Sequence, residues 1–87
     1  MINYKQIGPI LSGLRKDQKL SLRELAIVCD MHEPQLCEIE KGDHIPGMKT
    51  LDRICDGLKV PMVVVLLKAA STEDRIKAAN YINTLIL

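Results

Sequence analysis

The chain has 87 residues, 47% hydrophobic and 26% charged, a composition of one small globular domain that excludes wholesale disorder. Its aromatics are two Tyr with no Phe or Trp, which favours a helical aliphatic core and excludes the base-stacking platforms of single-strand nucleic-acid binders. The net charge of +1 is evenly spread, seven Lys/Arg against seven Asp/Glu over residues 1–50 and five against four over 51–87, so any nucleic-acid partner must be met by local patches.

Ile7, Ile10, Leu11 and Leu14 recur at i, i+3, i+4 and i+7, which predicts an amphipathic first helix with Gly8 and Pro9 near its start. The polar string Arg15-Lys16-Asp17-Gln18-Lys19 closes it with positive charge. Ser21 and Glu24 have the spacing of a capping box and open a second helix carrying Leu22, Leu25, Ala26 and Cys29. Asp30-Met31-His32 breaks the pattern. A third helix follows with Pro34 in its first turn and Leu36, Ile39 and Glu40 facing inward, and Gly42 stops it.

Residues 43–47 form a loop, and Leu51, Ile54, Cys55 and Leu58 mark a fourth helix. Lys59-Val60-Pro61 is a joint before residues 62–70, a very apolar fifth element whose valines also permit a strand. With no partner strand apparent in the sequence, this element is read as a helix. Ser71-Thr72-Glu73-Asp74 then caps a sixth helix in which Ile76, Ala79, Ile82, Leu85 and Ile86 line one side. Residues 1–70 are thus expected to form the main domain, and residues 71–87 a C-terminal amphipathic helix.

The residues offer little for catalysis or metal binding. His32 and His44 lie twelve apart with Cys37 between them, a spacing that lacks the four disciplined ligands of a zinc site. Cys29, Cys37 and Cys55 contain no C-x-x-C and sit in apolar periodic segments, so they read as buried hydrophobes of a cytoplasmic protein. Met31 and Met48 read as core gap-fillers. No enzyme activity, metal or cofactor is expected. The N-terminus lacks the apolar stretch of a signal peptide, and the longest apolar run, residues 60–67, is too short to cross a bilayer.

Several residues stand in a familiar register: Leu14-Arg15 at the end of the first helix, Leu20-Ser21 before the second, and Leu25-Ala26 within it. Ile39-Glu40-Lys41-Gly42 closes the third, and Pro46 is followed by Leu51, Ile54, Leu58 and Val60. Over about 60 of the 87 residues the chain resembles the Cro-like (Xre) helix-turn-helix repressors of bacteria and phages. The resemblance implies an all-α fold: a five-helix repressor-like DNA-binding domain with a helix-turn-helix, to which the sixth helix is added. It further implies a sequence-specific regulator of transcription, a repressor, with the third helix in the major groove of double-stranded DNA. Arg15 and Glu40 are expected by the same resemblance to form a partly buried ion pair with a structural role.

The resemblance places the reading positions at His32, Glu33, Pro34, Gln35 and Glu38, and the candidate DNA contacts are Arg23, Glu33, Gln35, Glu38, Lys41, His44 and Lys49. This chain departs from the family there, because Glu33 and Glu38 are acidic and residues 33–41 sum to −2. Carboxylates oppose the phosphate term, although Glu can accept from cytosine N4 and Gln can bind adenine. Leu22 stands where the family often has a phosphate-holding glutamine, His32 where it has a Ser or Thr cap, and Lys59 where a glycine ends the fourth helix. The acidic reading helix motivates a rival reading, a protein-interaction module on the same fold, such as an antirepressor or a regulator that binds another repressor. The stripe on the sixth helix either folds back over Val63, Val64 or Leu67, or meets a second copy in a homodimer matched to a palindromic operator. The second alternative is preferred.

Overall fold

The apolar spacings become six α-helices in the computed structural model, which describes the backbone of residues 1–86 and the side chains of residues 1–85. The helices are α1 (Ile7–Asp17), α2 (Leu22–Cys29), α3 (Glu33–Lys41), α4 (Met48–Leu58), α5 (Met62–Ala69) and α6 (Thr72–Ile86). A short 3-10 turn, Tyr4–Gln6, precedes them. Residues 62–69 adopt the helical alternative rather than the strand, and among the described residues the single β feature is an isolated antiparallel bridge between Ile2 and Ala70. Among the described residues no helix is long and apolar enough to cross a membrane.

The first five helices share one core. Leu11, Leu25, Leu36, Ile39, Ile54, Leu58 and Val65 are fully buried, so every helix from α1 to α5 contributes at least one anchor. Such burial stabilises by about 1.5–3 kcal/mol per side chain, which helices of two or three turns need because they are marginal alone. Cys29 and Cys55 lie in this core, and burial pushes both thiols up, away from the reactive thiolate. Cys37 is only half-buried, on the flank of α3. Met31 packs against the core, but Met48 is exposed, because it opens α4 while the inward stripe begins at Leu51.

The cross-links between α1 and α3 are the tightest. Gly8 is buried where α1 crosses the last turn of α3, and a Cβ there would fall on the carbonyl oxygen of Ile39. Further along α1, Arg15 Nε lies 2.9 Å from a Glu40 carboxylate oxygen and Nη2 lies 3.0 Å from the other. The third guanidinium nitrogen, Nη1, donates to the Leu20 carbonyl at 2.8 Å. Both side chains are nearly buried, 12% and 7% exposed, so the pair satisfies charges that neither could hold alone. Gln18 adds a link from the end of α1 to the end of α4, its amide donating to the Leu58 carbonyl at 2.6 Å.

The sixth helix does not fold back. Ile76, Ala79, Ile82 and Leu85 are exposed, as are Val63 and Leu67 on α5; the Ile86 side chain lies outside the described residues. The molecule measures 44 × 23 × 22 Å, and the excess along one axis matches the roughly 22 Å length of a 15-residue helix. Its root is fixed: Ser71 Oγ accepts from the Asp74 N–H, and the Arg75 guanidinium donates to the Leu67 and Lys68 carbonyls at 2.8 Å each. The Lys68 carbonyl is one of the acceptors at the end of α5, and the Leu67 carbonyl accepts from the Ala70 N–H as well.

Gly8→Ala is expected to cost about 3 kcal/mol in urea unfolding, because the added methyl meets backbone rather than a movable side chain. Glu40→Ala is expected to cost a similar amount, about 3 kcal/mol, by leaving the Arg15 charge buried without its partner. In the double variant Arg15→Met with Glu40→Leu much of that loss should return, read as the melting temperature of the three proteins.

Candidate nucleic-acid interface

The sequence builds a bihelical unit from two kinds of helix end. At the start of α2, Ser21 Oγ accepts from the Glu24 N–H at 3.0 Å, and the Glu24 carboxylate accepts from the Ser21 N–H at 2.9 Å. The backbone hydrogen bond from Ser21, with its hydroxyl second, holds the Glu24 carboxyl below its ordinary value. A depressed folded value means this cap is present at neutral pH and fades as pH falls through that value. At the far end of α2, Asp30 takes a left-handed conformation (φ 54°), and the Met31 N–H reaches back to the Ala26 carbonyl at 2.9 Å. The chain then turns through residues 30–32 into α3, where Pro34 stands in the first turn.

His32 precedes α3 with an extended backbone and makes no side-chain cap bond, so the first N–H groups of α3 lack the partner a Ser or Thr would give. Leu36, Ile39 and Glu40 point inward and fix which face looks out. That outer face presents Glu33, Pro34, Gln35, Glu38 and Lys41, all exposed. Gln35, Glu38 and Lys41 follow at i, i+3 and i+6, so they share one stripe. Arg23, at the second position of α2, is exposed as well. Leu22 begins α2 half-buried against the core, where it packs instead of reaching outward.

His44 and Lys49 are exposed on either side of Gly47, which caps α4 without a side-chain bond. The structure thus brings Gln35, Glu38 and Lys41 onto one stripe and leaves Arg23, His44 and Lys49 on neighbouring elements. Among the described residues Arg23, Lys41 and Lys49 have no ion-pair partner. The charge of α3 differs from its composition. Arg15 takes up the Glu40 carboxylate, so the outer face carries Glu33 and Glu38 against Lys41, a net charge of −1 rather than −2.

Among the described residues no group of three or more His, Cys, Asp or Glu is placed to share a metal ion. Sequence reasoning passed over residues 1–6, which pair with α5 and lie beside the α3–α4 loop. No local periodicity marks them.

Comparison with known proteins agrees with this geometry. The transcriptional regulator ClgR of Mycobacterium tuberculosis is 36% identical over 69 residues, covering 79% of this chain and 62% of that protein. The ImmF control region 10 kDa protein of Bacillus phage phi105 is 35% identical over 54 residues, 62% of this chain and 60% of its own. The chain therefore spans about three-fifths of the length of these relatives. A crystal structure of the clp gene regulator ClgR from Corynebacterium glutamicum superposes with a TM-score of 0.74 at 25% identity, over 95% of this chain and 88% of that one. A second crystal structure of that regulator gives 0.72 at 29% identity, over 76% and 86%. The Helix-turn-helix family matches residues 11–65, and the chain belongs to that family, in its Cro-like (Xre) branch.

Proposed function

We propose that this chain is a sequence-specific DNA-binding regulator of transcription, a repressor that acts in the cytoplasm as a homodimer on a palindromic operator. The observation that carries this reading is the α2–turn–α3 unit, whose second helix offers a fully exposed outer face between the exposed cations Arg23 and Lys49. The relatives named as transcriptional regulators support it. In this reading Arg23, Lys41, His44 and Lys49 meet phosphates, and Gln35, Glu33 and Glu38 face base edges. The partner is double-stranded DNA, and the work is recognition rather than chemistry.

Dimerisation would use α6. Ile76, Ala79, Ile82 and Leu85, with Ile86 beyond the described side chains, are exposed aliphatic surface that water must otherwise cover. Val63 and Leu67 on α5 are exposed as well. Four buried aliphatics per subunit, at about 1.5–3 kcal/mol each, are enough to hold a dimer at micromolar concentration after association costs. A two-fold dimer would set two α3 helices at half-sites one turn of DNA apart.

One observation favours a second reading. The outer face of α3 has a net charge of −1, which suits a basic protein surface better than a phosphate backbone. A salt titration of binding to random and genomic duplexes, followed by fluorescence anisotropy, separates the two. Affinity that falls steeply with salt is expected. No binding at low salt would leave the interaction module, an antirepressor or a regulator of another repressor, as the surviving reading.

Arg23→Ala should weaken binding to all duplexes alike, and Gln35→Ala should relax discrimination at one base pair by about 1–3 kcal/mol, both with unchanged melting temperature. Parent-like affinity in both variants would remove α3 as the reading element. Deletion of residues 72–87 should yield a folded monomer by sedimentation, whereas a monomeric full-length chain at high concentration would sink the dimer.

A further inference from the structure

The N-terminal segment is fastened at both ends. Its first anchor is on α5: Ile2 pairs with Ala70 and the Asn3 N–H donates to the Ala69 carbonyl at 2.9 Å. Asn3 then caps the 3-10 turn, its side-chain oxygen accepting from the Lys5 N–H at 3.2 Å, while the Gln6 N–H donates to the Asn3 carbonyl at 3.0 Å. The second anchor is the end of α3. A Cβ on Gly42 would lie 3.4 Å from the Lys5 carbonyl, and three residues on, Gly8 seats against the carbonyls of Ile39 and Glu40. Ile45, in the loop after α3, lines one groove with residues 1–5.

Residues 5–8 therefore run along the last turn of α3, beside the loop that leads to Lys49. Lys5 is exposed, and among the described residues its ammonium has no ion-pair partner. Lys5 and Lys41 place two cations at the C-terminal end of α3 beside the carboxylate of Asp43, Lys49 follows at the start of α4, and Glu33 and Glu38 make the rest of the outer face of α3 acidic. The backbone of Lys5 is held by hydrogen bonds that do not involve its side chain, so only the four-carbon stem must be ordered on contact.

We propose that Lys5 is a phosphate-contacting residue, presented to the duplex backbone by the fastened strap of residues 2–6 at the C-terminal end of α3. The inference rests on the DNA-binding reading above. It concerns a residue outside the matched helix-turn-helix segment, which begins at residue 11. It also supplies a cation near a helix whose face repels phosphate and whose neighbour α2 begins with Leu22, a residue without a donor.

The test is the dependence of affinity on salt for a random-sequence 24-base-pair duplex, measured on the full chain and on Lys5→Gln, Lys5→Arg and, as control, Lys77→Gln on α6. One lost phosphate contact lowers the slope of log affinity against log salt by about 0.9. Lys5→Gln is expected to show that loss with an unchanged melting temperature, while Lys5→Arg and Lys77→Gln keep the parent slope. A parent slope and affinity in Lys5→Gln would overturn the proposal and leave the DNA-binding reading standing. So would an equal loss in Lys5→Arg, which would trace the effect to packing instead of charge. A parent chain with no salt-dependent binding would overturn both.

Discussion

The placement of α3 depends on one buried ion pair. Arg15 reaches from α1 to both carboxylate oxygens of Glu40 on α3 and to the carbonyl of Leu20, so one guanidinium ties two helices and the turn before α2. Arginine suits this place because its planar fork offers several fixed donors, where an ammonium would offer a point charge. A carboxylate as buried as Glu40 is costly without such a partner, which makes the register of α3 against α1 specific and not merely compact. The Gly8 contact closes the same interface about two turns earlier on α1 with backbone packing. Together they fix which side of α3 looks outward, and that side is the candidate interface.

Compactness in so short a chain also depends on how helices stop. α1, α2, α3 and α4 all end with a residue in the left-handed region, at Lys19, Asp30, Gly42 and Lys59, and the next N–H reaches back five residues to a carbonyl. Only one of the four is glycine. The other three accept a strain of about 1 kcal/mol, and after each stands a hydrophobic residue, Leu20, Met31 or Val60, packed against the core. Burying that side chain offsets the strained backbone before it. This explains how Lys59 can stand where the family has glycine, and why it reads as a weakness only when the following valine is ignored.

Whatever was encoded locally was legible in the sequence. The i, i+3, i+4 spacings place α1 to α4, Ser21 and Glu24 give the capping box, and Gly42 marks the stop after α3, whereas α5 is helical in the sequence only for want of a partner strand. The Arg15–Glu40 contact was readable only through family resemblance, because twenty-five residues separate the partners and no periodicity joins them. The bond from Gln18 to the Leu58 carbonyl and the pairing of Ile2 with Ala70 had no signal of either kind. Each ends on a backbone group far along the chain, reached by a side-chain amide in one case and by backbone in the other, and apolar periodicity does not report on those. Met48 misled because a methionine near a helix start is apolar by composition, while its exposure is set by the phase of α4 relative to Leu51. Similarly, the apolar stripe of α6 was visible, but a stripe states that something must cover it and not what does.

The charge arrangement of the outward face follows from these constraints. Glu40 has the same charge as Glu33 and Glu38 in the sequence, yet in the fold it belongs to Arg15 and contributes little to the surface. What remains is an exposed α3 face with acceptors along it and cations at its margins: Arg23 on α2, Lys41 at its own end, Lys49 across the loop. On the DNA-binding reading such a division separates two tasks. Margins facing the backbone supply affinity that any sequence can satisfy and that salt erodes. Carboxylates over the groove repel the phosphates they pass and find donors in the major groove only at the exocyclic amines of cytosine and adenine. A face of this kind binds weakly to most sequences and loses least at those that put an amine beneath each carboxylate. Its selectivity then comes from the cost of the wrong sequence more than from the strength of the right one.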